Sequence, residues 1–320
     1  MRGPYQPPLL WPVQPVRYKL IIAYDGSGFC GWQKQEPPAG PDAPAEAGQA
    51  RAARAYSPLT PRIEGAPEGR VSLRTVQGVL ESAVRRIARE PGIELVGASR
   101  TDSGVHAWGQ VAAFTSFPGQ RGIGWPLERG PERLRMALNA HLPDDVLVRE
   151  AQVVPAGFDP IAGARRKRYT YTWVVSRTRP LWERGRVVWV AHAPAAVDAR
   201  AMHEAAGLLV GERDFAGFAA AGHGRLSTVR TVYACAVDAQ QHDDALRVRL
   251  TIEGNGFLWN MVRIIAGTLL EVGLGRRPAA DSARALRTLQ RTDAGPTAPA
   301  HGLCLERVWY EGECAGETEA

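Results

Sequence analysis

The stretch GFLWNMVRIIAGTLLEVGLG, residues 256–275, constrains the fold of this chain more than any other. It is the most apolar run in the sequence, yet it contains Asn260, Arg263 and Glu271. Charged side chains in the middle of a bilayer are costly, so the run reads as a core helix rather than a membrane span. Leu258, Val262, Ile265, Leu269 and Val272 recur at helical spacing and mark its inward stripe. Arg263 lies near that stripe, where an unpaired guanidinium is expensive, so it requires an anion. Glu253 and Glu271 are the carboxylates nearest in sequence.

A helix of this kind needs a sheet to cover. Just before it, Leu246, Val248, Leu250 and Ile252 alternate with Arg247, Arg249, Thr251 and Glu253, the period of a half-buried strand. RRKRYTYTWVV places Tyr169, Tyr171 and Trp173 on one strand face, and ARAMHEAAGLLVG reads as a helix. The first half of the chain repeats the theme. VRYKLIIAYDG reads as a buried strand and TVQGVLESAVRRIAREPG as a helix, with Thr75 as N-cap, Pro91 and Gly92 as the stop and Glu81 with Arg85 as an i,i+4 pair. IELVGAS and VHAWGQVAAF read as strands on either side of a turn, and PERLRMALNAHLP as a further helix.

Strand, helix and strand in each half predict an α+β fold of two related lobes, with helices packed on a mainly antiparallel sheet and an active-site cleft between the lobes. The expected boundaries are a loose N-terminal arm over 1–15, an N-terminal lobe over 16–157, a C-terminal lobe over 158–311 and a tail over 312–320. Residues 36–70 are rich in Pro, Ala, Gly and Arg without a sustained period, and read as an inserted surface loop. With 320 residues, 45% of them hydrophobic, the chain can bury a sizeable core. Lys and Arg total 39 against 33 Asp and Glu, a net charge of +6 that favours a polyanionic partner. Cys30, Cys235, Cys304 and Cys314 are far apart and form no C-x-x-C pair, as expected of reduced thiols in the cytoplasm. MRGPYQPPLLWPVQP is broken by prolines and has no apolar signal-peptide core.

Three features stand out as chemistry. SRTDSGVHAWGQVAAF puts Asp102 on a tight turn at a strand end, without metal-ligand spacing around it. Tyr169 follows the cationic run RRKR, and Arg263 interrupts the apolar helix. Singly, each has an ordinary structural account: turn chemistry for Asp-Ser-Gly, a strand aromatic, a buried ion pair. The glycines of YDGSGFCGWQKQ match neither a G-x-G-x-x-G nor a Walker motif, and read as a turn with aromatic packing.

Taken in order, these segments resemble the TruA family of tRNA pseudouridine synthases. YDGSGFCGWQKQ, TVQGVLESAV, RTDSGVHAWGQV, ALNAHLPDDVLV, KRYTY, DFAGF, GNGFLWNMVRIIAGTLLEVGLG and APAHGLCLERVWY carry the resemblance across most of the chain. It implies an isomerase that converts uridine to pseudouridine at positions 38 to 40 of the tRNA anticodon stem-loop, without metal or cofactor, usually as a homodimer. Asp102 is then the nucleophile, Arg263 pairs with its carboxylate, and Tyr169 packs against the target base. Arg100 helps hold the uridine out of the helix, and Leu258, Lys167 and Arg168 join the substrate-binding set. The chain departs from the family at Ser99 and Ser103 in the aspartate turn, where Gly and Ala are common, and at Ile161, where an arginine is common.

The residue types suit the chemistry independently. Breaking the C1'–N1 bond and rejoining the sugar at C5 needs no redox agent, only an ionised carboxylate close to the ribose. A paired guanidinium favours the charged form in a water-poor pocket. An aromatic platform, worth about 1–3 kcal/mol per base, offsets the cost of unstacking the target. A non-catalytic RNA-binding module would keep the basic surface and the aromatics but has no use for Asp102 and Arg263 together. A hydrolase or phosphotransferase would need a second acid or a set of metal ligands.

Overall fold

The computed structural model describes residues 14–35, 73–119, 122–220 and 227–313. The N-terminal arm up to residue 13, the insertion at 36–70, Cys314 and the tail beyond residue 313 lie outside the described residues.

Among the described residues ten strands form one sheet: β1 (Val16–Tyr24), β2 (Val96–Gly97), β3 (His106–Ser116), β4 (Val146–Val154), β5 (Arg166–Val175), β6 (Val188–Val190), β7 (Gly211–Asp214), β8 (Val229–His242), β9 (Ala245–Gly254) and β10 (Leu303–Trp309). Their order is β4-β1-β3-β10-β5-β9-β8-β7, with β2 added to β3 and β6 to β5. Among the described residues only the β10–β3 and β5–β6 pairs are parallel, so the sheet is mainly antiparallel, as the sequence predicts. Five α-helices accompany it among the described residues: α1 (Val76–Ala88), α2 (Pro131–Asn139), α3 (Ala199–Gly207), α4 (Met261–Gly273) and α5 (Asp281–Thr288). None is long and apolar enough to cross a membrane. Cys30, Cys235 and Cys304 are free thiols.

The last strand sits in the middle. β10 lies between β3, which continues from the Asp102 turn, and β5, which carries Tyr169. Hydrogen bonds therefore run unbroken from the first half of the chain to the second. Across β5 and β9, Tyr169 stands opposite Ile252, Tyr171 opposite Leu250 and Trp173 opposite Val248. These side chains share one face of the sheet and join Ile264, Ile265 and Leu269 of α4 in the buried core. Arg168 stands opposite Glu253 and, by the two-residue alternation of a strand, points to the other face.

Two helix ends differ from the sequence reading. Thr75 caps α1 as expected, accepting from the Gly78 N–H, but the helix stops at Ala88 with Arg89 in the left-handed region at φ 53°. Pro91 disfavours helical backbone at the residue before it, so the break precedes the Pro-Gly pair. The helix containing Arg263 starts only at Met261, which leaves Leu258 ahead of it. Asn260 is left-handed at φ 59° and sets the point of entry.

Candidate functional site

Asp102 is held by its backbone surroundings before any side chain acts on it. The Val105 N–H donates to the Asp102 carbonyl at 3.1 Å across Ser103 and Gly104. Gly104, at φ 78°, supplies the left-handed residue that such a turn requires. The loop YDGSGFCGWQKQ packs against this turn. The Trp32 N–H donates to the Thr101 carbonyl at 3.0 Å, the Ser103 hydroxyl donates to the Phe29 carbonyl at 3.1 Å, and the Tyr24 and Thr101 hydroxyls bond at 2.7 Å. Gly31, at φ 90°, comes so close that a Cβ there would lie 2.8 Å from the Thr101 carbonyl oxygen. The glycine-rich loop is thus a support for the aspartate turn, in keeping with the turn read from sequence.

Arg263 comes from the opposite end of the chain. Its Nη1 donates to Asp102 Oδ2 at 3.1 Å and to Asn260 Oδ1 at 2.7 Å, and its Nε donates to the Ala298 carbonyl at 2.8 Å. The segment carrying Ala298 is fixed to the same helix, because the Ala298 N–H donates back to the Arg263 carbonyl at 3.0 Å. Glu253 and Glu271 are committed elsewhere. Glu253 binds Arg166 and Arg168, and Glu271 binds Arg277. The anion that the apolar helix requires is therefore Asp102. The side chains of Arg263 and Asp102 are 16% and 29% exposed, so the pair is partly shielded while one edge stays open to a ligand.

Tyr169 completes the group. Its buried ring meets Phe257 edge to face, with centroids 5.3 Å apart. Burial pushes its phenol up to about 12; the neighbouring Ser99 hydroxyl offsets part of the rise and the negative charge of Asp102 adds to it. The phenol therefore stays protonated at neutral pH.

The other expected site residues divide. Arg100 is exposed two residues before Asp102. Leu258 is buried, on the approach to α4. Lys167 shares the Tyr169 face and its Nζ donates to the Ala98 carbonyl at 2.7 Å, just upstream of the aspartate turn. Arg168 is not brought to this group. It sits on the opposite face, with its Nε on Glu253 at 2.6 Å and its guanidinium over the Trp309 ring. Strand alternation separates it from Tyr169, so the structure does not bring Arg168 together with Asp102, Tyr169 and Arg263. Ile161 is exposed in a turn whose N–H bonds go to the Asp159 carboxylate.

Phe257 and the Ala298 carbonyl carry no signal in the sequence, and Asn260 stands out there only as a polar residue in an apolar run. Asn ahead of a helix is ordinary N-cap chemistry, but Asn260 makes no cap bond and gives its oxygen to Arg263 instead. The open clefts beside Ala195 and Gly275 and beside Thr178 and Arg247 lie apart from Asp102.

The profile of the family described as tRNA pseudouridine synthase matches residues 67–160 and 205–311. The chain is 37% identical to tRNA pseudouridine synthase A of Geobacillus kaustophilus (strain HTA426), over 93% of this chain and 96% of that protein. Against the tRNA pseudouridine synthase A of Myxococcus xanthus the identity is 38%, over 92% of each. Against that of Acetivibrio thermocellus it is 35%, over 91% of this chain and 98% of the relative.

Proposed function

The chain belongs to the tRNA pseudouridine synthase family, and on that premise we propose that it isomerises uridine to pseudouridine at positions 38 to 40 of the tRNA anticodon stem-loop, with Asp102 as nucleophile and no cofactor. The observation that carries this reading is the pairing of Asp102 with Arg263, residues 161 apart in sequence, beside the Tyr169 ring. A module that only binds RNA has no need to hold a carboxylate against a guanidinium at the edge of a buried aromatic.

The reaction conserves atoms and electrons: the C1'–N1 bond breaks, the sugar rejoins the base at C5, and the C5 proton is lost as N1 gains one. What the protein must supply is placement and charge. Asp102 is the anionic group at the sugar, and Arg263 compensates its charge once the base displaces water. The target base has to leave its stack, and Tyr169, backed by Phe257, gives it an apolar face to pack against. Because burial keeps the phenol protonated, Tyr169 serves as platform and hydrogen-bond donor in the ground state rather than as a standing base. In this reading Arg100, exposed beside the turn, helps hold the uridine out of the helix. In the same reading the lobes at 16–157 and 158–311 form the cleft, Asp102 coming from the first and Tyr169 and Arg263 from the second. The enzyme acts in the cytoplasm as a homodimer.

The test is incubation of the purified chain with an unmodified tRNA transcript, followed by nucleotide-resolution mapping of pseudouridine. Product at positions 38 to 40 is expected, and its formation should need a folded anticodon arm, since A-form RNA is recognised through shape and backbone. Equal modification of an unstructured uridine-containing oligomer would contradict the assignment, and a transcript left unmodified would end it.

A further inference from the structure

The Asp102 turn is closed into a ring of hydrogen bonds through a buried imidazole. The Gly26 N–H donates to His106 Nδ1 at 3.0 Å, the Phe29 N–H donates to the Gly26 carbonyl at 3.0 Å, and the Ser103 hydroxyl donates to the Phe29 carbonyl at 3.1 Å. Between Ser103 and His106, the Val105 N–H bonds the Asp102 carbonyl. Gly26 lies so close to this segment that a Cβ on it would run into the Val105 carbonyl. His106 is only 7% exposed, and its Nε2 is buried without a hydrogen-bond partner, so Nδ1 alone ties the ring to its surroundings. A second group competes for that nitrogen: Asp25 Oδ1 lies 3.3 Å from His106 Nδ1. An imidazole nitrogen either accepts a hydrogen bond or carries a proton. The Gly26 N–H, aimed at Nδ1, assigns it the lone pair, which puts the proton of the neutral ring on Nε2.

From this geometry we infer that His106 is a positioning residue for Asp102: unprotonated, its Nδ1 holds the Gly26 loop against the aspartate turn, and on protonation the same nitrogen becomes a donor to Asp25 and releases the Gly26 N–H. The inference rests on the reading of Asp102 as the group that acts at the sugar. The charges around the ring are accounted for. Contact with His106, then hydrogen bonds from Ser27, hold the Asp25 carboxyl well below the usual carboxylate range, so Asp25 is ready as an anion. From the β5–β6 connection Arg186 reaches Asp25 Oδ2 at 3.3 Å, and Asp145, whose carbonyl accepts the Asp25 N–H, is paired with Arg74. On β10, Cys304 stands opposite His106, and burial pushes its thiol up to about 12, so it stays neutral. Beyond it, Glu306 accepts from the Thr170 hydroxyl, and Arg249 of β9 lies near Cys304. Asp25 is therefore the anion in contact with the ring.

The experiment follows kcat and KM of the full chain with an anticodon-arm tRNA between about pH 5 and pH 8, the range in which histidine changes charge. In the parent, kcat should fall about tenfold toward the acid end with KM within about threefold, since displacing the acting group costs rate rather than binding. His106→Asn puts an amide oxygen in the place of Nδ1, which accepts from the Gly26 N–H at every pH. Its kcat at neutral pH should lie within about threefold of the parent, and the acid fall should vanish. His106→Leu, with no acceptor, should be about tenfold slow at neutral pH and equally flat. Asp25→Asn removes the anion that draws the proton, and should move the midpoint of the fall lower by about one pH unit. A second readout is independent of turnover: imidazole 15N spectra of the parent, with His106 assigned by its loss in His106→Asn, should show the neutral ring protonated at Nε2 and a titration that coincides with the kcat midpoint. An acid fall that persists in His106→Asn, a neutral ring protonated at Nδ1, or a His106 titration apart from the kcat midpoint would overturn the inference while leaving the proposed function intact. A parent chain that forms no pseudouridine at any pH would remove both.

Discussion

Arg263 Nη1 lies 3.1 Å from Asp102 Oδ2, joining a helix near the C-terminal end of the chain to a turn in its first half. The bond depends on two others that fix the guanidinium plane, Nε to the Ala298 carbonyl and Nη1 to Asn260. The carboxylate is in turn carried on a turn backed by Gly31 and Trp32. Each half of the pair is thus held in place by groups other than its partner, the condition for removing one without collapsing the other.

Asp102→Asn is expected to abolish turnover, because an amide of the same shape cannot act as the anion at the sugar. Affinity for tRNA should stay within about tenfold, since phosphate contacts elsewhere supply most of the binding free energy. Single-turnover assays beside a filter-binding titration check both, and normal turnover would refute the assignment of Asp102.

Arg263→Met should cut turnover by about a hundredfold, the scale seen when one preorganised electrostatic donor is removed from an active site. Melting temperature should fall by no more than a few degrees, because Glu253 and Glu271 keep their own cations. Arg263→Lys should lie between parent and Met: it keeps a charge but loses the fork that bonds Ala298 and Asn260 together. Kinetics corrected for folded fraction, read with thermal melts, decide the matter. A large stability loss with turnover preserved in the folded fraction would make Arg263 structural.

How far this site could be read from sequence follows from the physics of each residue. An arginine in an apolar helix demands a counter-charge, so its need was visible. Which carboxylate meets it was not, because Glu253 and Glu271 are closer in sequence and only the β3-β10-β5 order brings Asp102 near. The long strands and helices were legible from alternation and helical spacing. β2 shrank to Val96–Gly97, within the longer run IELVGAS, as the chain leaves the ladder and the Gln110 side chain takes the Ser99 carbonyl. α5 is a short, polar helix with Ser282 and Ala285 its only buried residues, too little pattern to mark it. Arg168 lies apart from the Asp102 group because charge beside Tyr169 in sequence is charge on the opposite face of a strand.

The Tyr169 phenol, pushed up to about 12 by burial, sets an expectation for pH. A group whose folded value lies above its ordinary value of 10 contributes stability fully present below pH 10 and lost as pH rises toward 12. Burial pushes Tyr18 up to about 12 as well, so alkaline unfolding should set in across this window. Tyr169→Phe should postpone it. Between pH 7 and 9 the phenol stays protonated, and kcat should show no alkaline limb due to it. A limb with a midpoint below pH 9 that disappears in Tyr169→Phe would contradict the placement of this ring.

The insertion at 36–70 can be tested at its base. The residues flanking it are joined by a backbone bond, the Leu73 N–H donating to the Gln35 carbonyl at 3.1 Å, so a short link can span the same gap. Nearby, the Cys30 N–H donates to the Arg74 carbonyl at 2.8 Å, and Lys34 Nζ reaches Glu81 at 3.1 Å, which ties both sides of the base to described residues. Its Pro, Ala and Gly content offers little apolar surface, and the entropic cost of loop length is only about 0.6 kcal/mol per doubling. Replacing residues 37–69 with a Gly-Ser link should therefore leave melting temperature within a few degrees. The arginines Arg51, Arg54, Arg62 and Arg70 give the segment a second possible role, gripping tRNA phosphates. A protein that neutralises Z phosphates loses affinity with a salt slope of roughly 0.7 to 0.9 Z, so loss of such a grip would show as a shallower slope in the deletion variant. For a passive loop the slope should match that of the parent chain, and this is the expected result. A large drop in melting temperature would show that the segment packs against the fold, whereas unchanged melting with a slope reduced by two or more would make it an RNA-gripping arm.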